Sequence, residues 1–249
     1  MSLGVVLVII VSVLVVLTIA NRYQLWRLPK PNSWPRLLMY HSIANEAATG
    51  MNTPPEKFDT QLAWLKKQGY VFCTVSELLT TSKPKAIAIT FDDGFANNYH
   101  QAFPLLKKYQ AKATIYLAPE IAAIDKLTTA QISEMQASGL IEFGAHSMTH
   151  LNLLQAPTDI AQAEIVSSKQ QVEALTGVAC LSFAYPFGRF GAETIELVKA
   201  AGFSSAVTTK KKIIAHLTAQ TFTIPRISTH GAMDNIQFYV AVTRGRYKF

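Results

Sequence analysis

The chain has 249 residues, 49% of them hydrophobic, and a formal net charge of +7 at pH 7. That length suits one large core preceded by a short accessory segment. The basic residues are scattered apart from Lys210-Lys211-Lys212 and no nucleic-acid motif accompanies them, so nucleic-acid binding is excluded. Two isolated cysteines, Cys73 and Cys180, rule out a closed cysteine-rich zinc site and leave either one disulfide or two buried thiols.

In chain order, the first expected element is a span. Leu3 to Ala20 is uncharged and dominated by Val, Leu and Ile, long enough to cross a bilayer as a helix. A signal sequence is the competing reading, but the start carries no Lys or Arg and Thr18-Ile19-Ala20 makes a poor cleavage site. The expected organisation is therefore an anchor over 1–21, a proline-containing stiff tether over 22–36 and a catalytic unit over 37–249. Arg22, Arg27, Lys30 and Arg36 follow the span, which by the positive-inside rule alone would leave that unit in the cytoplasm.

From Arg36 onward, strand-like and helical runs alternate. A first strand runs through Leu37-Leu38-Met39-Tyr40; helices are expected over 58–68, 98–109, 129–138, 158–176 and 193–201. Further strands are expected at Ala86-Ile87-Ala88-Ile89, 113–117, 139–144, 181–185 and 204–207. Such alternation predicts parallel strands covered by helices.

Two runs carry the chemistry. Thr90-Phe91-Asp92-Asp93-Gly94 ends a strand in a turn, and Gly94 allows a bend that brings both carboxylates to one cavity. His146-Ser147-Met148-Thr149-His150 places two imidazoles four residues apart, on one face if the segment makes a helical turn. Together the spacing predicts a mononuclear site with Asp93, His146 and His150 as ligands and the remaining positions open. Mixed carboxylate and imidazole ligation suits a divalent ion, zinc first, with cobalt, nickel or manganese as substitutes. Asp92, left free, is then the general base.

The same runs resemble the polysaccharide deacetylases, the NodB-homology or carbohydrate esterase family 4 group. The aspartate run matches that family's first motif, His146 to His150 its metal-binding motif, and Phe183-Ala184-Tyr185-Pro186-Phe187-Gly188 its groove-wall motif. The resemblance implies a distorted (β/α) barrel, with Tyr185, Pro186, Phe187 and Gly188 on the substrate and oxyanion side. Two departures stand out. The motif arginine that orients the base is replaced by Ala184, leaving Arg189 or Arg226 to substitute, and the late motif supplying the acid is missing from its usual place. Leu37 to Ile43 instead resembles the branch acting on poly-β-1,6-N-acetylglucosamine, which implies His41 as the acid, with His230 as its competitor. The implied activity is metal-dependent removal of N-acetyl groups, released as acetate, from N-acetylglucosamine units of an extracytoplasmic polysaccharide, which implies a catalytic unit on the periplasmic or extracytoplasmic side of the membrane. Peptidoglycan, chitin-like oligomers, a lipid-linked sugar, or an idle carbohydrate-binding role are the alternatives.

Overall fold

The computed structural model describes residues 2–122 and 124–245, so the last four residues of the expected catalytic unit lie outside it. An apolar helix, α1 (Leu3–Arg22), has a mean hydropathy of 3.2 and is not buried by any other part of the described residues. It is long and apolar enough to cross a membrane.

Beyond it, strands and helices alternate: β1 (Arg36–Tyr40), α2 (Pro55–Lys67), β2 (Val71–Cys73), α3 (Val75–Thr80), β3 (Ala86–Phe91) and α4 (Phe103–Tyr109). Then follow β4 (Ala113–Leu117), α5 (Thr129–Ala137), β5 (Ile141–Ala145), α6 (Thr158–Thr176), β6 (Ser182–Ala184), α7 (Ala192–Ala200), β7 (Ser205–Val207), β8 (Ile227–Ser228) and α8 (Asn235–Arg244). Local sequence sets several of the boundaries. Thr74, Thr128 and Asp234 each accept from the amide three residues on, and Glu77, Gln131 and Gln237 reach back to complete capping boxes. Gly177, in the left-handed region, ends α6.

Every strand pairing is parallel, in the order β7-β6-β5-β4-β3-β1-β8. β2 lies on the first half of β3 and β4 on its second half, so β3 is the axis of the sheet. The sheet curls until its ends meet. Thr208 donates to the Ile224 carbonyl and Ile224 to that of Ala206, while three residues later Ile227 pairs with Leu38. The seam is thus the short stretch 224–228, and the result is the distorted barrel that the resemblance implied.

A period of two sorts the strand side chains into layers. Along β3, Ile87, Ile89 and Phe91 pack outward under the helices, whereas Ala86 and Ala88 join a smaller inner cluster with Leu37, Tyr116, Ala184, Val207 and Ile224. Gly144 belongs to the inner face: a Cβ there would lie 2.5 Å from the Tyr116 ring and 2.7 Å from the Ser182 carbonyl. Both cysteines are buried and unpaired, which decides for thiols against a disulfide.

The segment expected as a stiff tether is bonded to α8. The Lys30 amide donates to the Thr243 carbonyl, and Arg36, 1% exposed, donates to the carbonyls of Lys30, Pro31, Trp34 and Val242.

Candidate metal centre and active site

The chemistry-bearing residues gather at the carboxyl ends of the strands, where parallel α/β folds leave a crevice. Asp92 continues the inward phase of Ala88 and Thr90, so strand alternation alone sends its carboxylate into the barrel. Asp93 would by the same rule point outward. Its φ of 74°, followed by 79° at Gly94, turns the chain at that step. The bend thus begins at the aspartate itself, a strained conformation for a residue with a Cβ.

His146 follows β5 in inward phase, and its Nδ1 donates to the Ala184 carbonyl at 2.7 Å. That bond leaves Nε2 as the lone pair facing Asp93. The expected helical turn between His146 and His150 is not formed. Ser147 and His150 have φ of 58° and 63°, and the loop folds around Glu164, whose carboxylate accepts from the Met148 and Thr149 amides at 2.9 Å each. Left-handed kinks, rather than a helical face, bring the rings to 4.8 Å between centroids.

Asp93 Oδ1 lies 3.5 Å from Nε2 of His146 and 3.5 Å from Nε2 of His150. Burial pushes His146 down to about 3 and lowers His150, with Asp92 opposing in both, so the rings are neutral. These contacts are therefore not ion pairs. Burial, reinforced by the Asp92 charge, pushes Asp93 up to about 7. Its Oδ1 is buried without a donor among the described residues, an unsatisfied position of the kind a cation would fill. Two imidazole lone pairs and this oxygen, all within 4.8 Å of one another, fit a divalent ion.

Next to them, Asp92 is gripped by Arg226 in a bidentate pair, Nη1 to Oδ1 at 2.6 Å and Nη2 to Oδ2 at 2.7 Å. Arg226 is itself fully buried and aimed by the Thr208 carbonyl and the Thr90 hydroxyl. Burial raises the Asp92 carboxyl, but Arg226, His146 and His41 together outweigh it and hold the group well below the usual carboxylate range. Arg189, the other expected partner, is instead exposed, with its guanidinium 5.7 Å from the Phe187 ring.

His41 Nε2 stands 3.8 Å from Asp92 Oδ2, and its carbonyl accepts from the Asn98 side chain at 2.8 Å. Burial lowers the imidazole and the Asp92 charge opposes that. His230 sits further along the rim, its Nδ1 accepting from the Ala232 amide and its ring against Gly50.

The groove-wall residues divide. Tyr185 is fully buried, stacks on Phe190 and donates its hydroxyl to the Phe222 carbonyl, so its side chain belongs to the core and not to a sugar-facing wall. Tyr40 is likewise a core residue, bonded to Gln61. Phe187, 56% exposed at φ 58°, meets the His150 ring at 4.4 Å. The turn that begins at Pro186 uses the amides of Gly188 and Arg189 internally, and Tyr185 N–H goes to Val207. The Phe187 N–H is the amide that this turn does not consume. Gly188, φ 66°, packs where a Cβ would collide with Thr209.

Sequence reasoning passed over Glu164 and Asn98, which hold the His146–His150 loop and the His41 carbonyl. Neither stands within a motif containing the residue it supports: Glu164 lies on the next helix of the chain, α6, and Asn98 is far from His41 in sequence.

Comparison with known proteins points the same way. YxkH of Bacillus subtilis (strain 168) is 35% identical over 188 residues, 73% of this chain and 66% of that protein's length. A poly-β-1,6-N-acetyl-D-glucosamine N-deacetylase of Staphylococcus aureus (strain MRSA252) is 24% identical over 220 residues, 81% of this chain and 75% of that one. The solved structure of the Streptococcus pyogenes deacetylase PplD in complex with acetate superposes with a TM-score of 0.75 at 27% identity, covering 86% of this chain and 99% of that one. The family profile described as polysaccharide deacetylase matches residues 80–206, which contain Asp92, Asp93, His146, His150 and the turn at Phe187, and the chain belongs to the polysaccharide deacetylase family.

Proposed function

We propose that the protein is a divalent-metal-dependent N-deacetylase acting on N-acetylglucosamine units of a polysaccharide outside the cytoplasm, and that it is anchored in the cell membrane by α1. The observation that carries this is the meeting of Asp93, His146 and His150 at one buried point beside the Asp92–His41 pair. The poly-β-1,6-linked polymer is the favoured substrate, supported by likeness to the staphylococcal enzyme of that name and by a histidine closing the first strand. The domain division follows: an anchor over 1–21, a connecting segment over 22–36 and a catalytic unit over 37–249.

Asp93, His146 and His150 would hold the ion, zinc by the chemistry of its donors, with cobalt, nickel or manganese as substitutes. When bound, the ion polarises the acetamide carbonyl and makes a water acidic enough to attack near neutral pH. Asp92 takes the proton of the attacking water. Arg226 fixes both its oxygens and so aims the free lone pair. His41 delivers a proton to the leaving nitrogen as the carbon–nitrogen bond breaks, giving acetate and a free amine. The Phe187 N–H is the backbone donor for the developing oxyanion. Pro186 and Gly188 set the turn that presents it. An idle carbohydrate-binding role drew its support from the missing motif arginine, and Arg226 in contact with Asp92 removes that support.

The test is acetate release by the full chain on β-1,6- and β-1,4-linked N-acetylglucosamine oligomers, with chelator and then with zinc restored. Release that chelator abolishes and zinc restores, larger on the β-1,6 substrate, is expected. No release from metal-loaded protein on either substrate would overturn the reading. Asp92→Asn is expected to retain zinc and lose roughly 10²- to 10⁴-fold in turnover, the span of a general base. Asp93→Asn is expected to lose zinc and turnover together.

A further inference from the structure

The chain between α1 and the barrel lies along α8 and is bonded to it at both ends. Where α1 ends, Arg22 Nη2 is 3.8 Å from Asp234 Oδ2, and the Tyr23 hydroxyl donates to the same oxygen at 3.2 Å. Asp234 is also the cap of α8. At the far end of that helix, Arg244 Nη1 donates to the carbonyls of Gln24 at 3.2 Å and Leu25 at 3.1 Å, and the Lys30 amide to Thr243 at 2.8 Å. Buried Arg36 then ties the carbonyls of Lys30 and Pro31 to that of Val242. Five prolines or polar side chains in a row would make a stiff spacer; these bonds make a folded strap.

Beside the strap, α8 presents apolar surface. Ile236 is 55% and Tyr239 42% exposed, and with Trp64 and Phe238 they line a mostly apolar cavity of about 250 Å³ between α2 and α8. The strap itself exposes Leu25, Trp26 and Leu28. Its charged side chains are all basic, with Arg22, Arg27 and Lys30 at or near the surface and Arg36 buried, and the neighbouring Asp234 carboxylate is engaged by Arg22 and Tyr23. Apolar and aromatic side chains interleaved with cations match the headgroup zone of a bilayer containing anionic lipid. The surface is also continuous with α1, whose last residue makes the first strap contact.

We propose that residues 22–36 are a rigid mount and that the α2–α8 face beside them rests in the headgroup layer of an anionic membrane. This rests on reading α1 as a membrane span. The catalytic crevice is then held at one height and one orientation above the lipid, so the substrate is a polymer segment met close to the membrane surface.

The experiment uses the full chain in nanodiscs of phosphatidylglycerol and phosphatidylcholine, spin-labelled singly at Val11→Cys, Ile236→Cys or Ile160→Cys. Both native thiols are buried, and Ile160 is exposed on α6 across the barrel. Collision with lipid-soluble oxygen is compared with collision with a water-soluble paramagnetic reagent. Val11 and Ile236 are expected to favour oxygen and Ile160 the aqueous reagent. Adding Arg22→Gln with Tyr23→Phe, which spares the α8 cap, is expected to shift Ile236 to the aqueous class while acetate release from soluble oligomers is unchanged. Val11 in the aqueous class would sink the span reading itself. Val11 in lipid with Ile236 in water would overturn the mount alone. Ile236 shielded from both reagents would mean that protein covers the face, and Ile236 still in lipid in the double variant would mean that the strap does not hold it there; either overturns the proposal.

Discussion

At the residue scale, the centre is built on two carboxylates that environment drives in opposite directions. Arg226 keeps Asp92 ionised at any working pH, whereas burial and the Asp92 charge push its neighbour Asp93 up to about 7. A cation must displace the Asp93 proton, while His146, pushed down to about 3, is already neutral. Zinc binding at pH 6 is therefore expected to release about one proton, and affinity to fall about tenfold per pH unit below 7. Calorimetry in buffers of differing ionisation enthalpy measures the proton count; no release at pH 6 would contradict the assignment of Asp93 as the titrating ligand. Arg226→Met leaves a buried carboxylate without its partner. A loss of about 3 to 5 kcal/mol of stability is expected, read by denaturant unfolding, together with loss of turnover. The pair is fully buried, so solvent screening does not reduce that figure.

At the scale of elements, strand ends place the centre and irregular backbone finishes it. Left-handed residues at Asp93, Ser147, His150 and Phe187 cluster around one point, each turning a side chain or an amide where regular structure would not. Such backbone persists only if it is held. Glu164 on α6 does so for the histidine loop, accepting from two consecutive amides and the Thr149 hydroxyl. Glu164→Ala is expected to weaken zinc binding about 10- to 100-fold, the range for supporting residues behind metal ligands, with the fold intact. Competition with a chromophoric chelator gives the affinity. Unchanged affinity would show that the loop is held by its other bonds, such as Glu120 N–H to the Met148 carbonyl.

At the scale of the whole molecule, a closed parallel barrel puts two side chains far apart in sequence, Asp92 and Arg226, into direct contact through the 224–228 seam. Both thiols are buried, Cys73 in the inner cluster and Cys180 in the outer one. Burial pushes Cys180 up to about 12 and raises Cys73, so neither forms appreciable thiolate at pH 8. Native protein is expected to resist alkylation at that pH and to take up two labels once unfolded, counted by mass. Rapid native labelling would mean that the barrel opens on the timescale of the reaction.

Much of this was legible in the sequence because it is local. Thr90 to Gly94 and His146 to His150 hold the candidate ligands within a few residues, and the runs at 86–89 and 113–117 are apolar enough to read as buried strands, so residue types and spacing pointed to the Asp93, His146 and His150 group that the fold brings together and to the alternating fold. The helical turn between the histidines was the wrong local geometry, since nothing in five residues reveals that Glu164 will hold them in a kinked loop. Choosing Arg226 over Arg189, sending Tyr185 into the core, and folding residues 22–36 onto α8 all depended on which distant segments meet. Sequence by itself determined which groups could bind a metal and move protons, because donor chemistry belongs to the residue. Only the tertiary structure decided which groups face one another, because contact and burial are set by closure of the barrel.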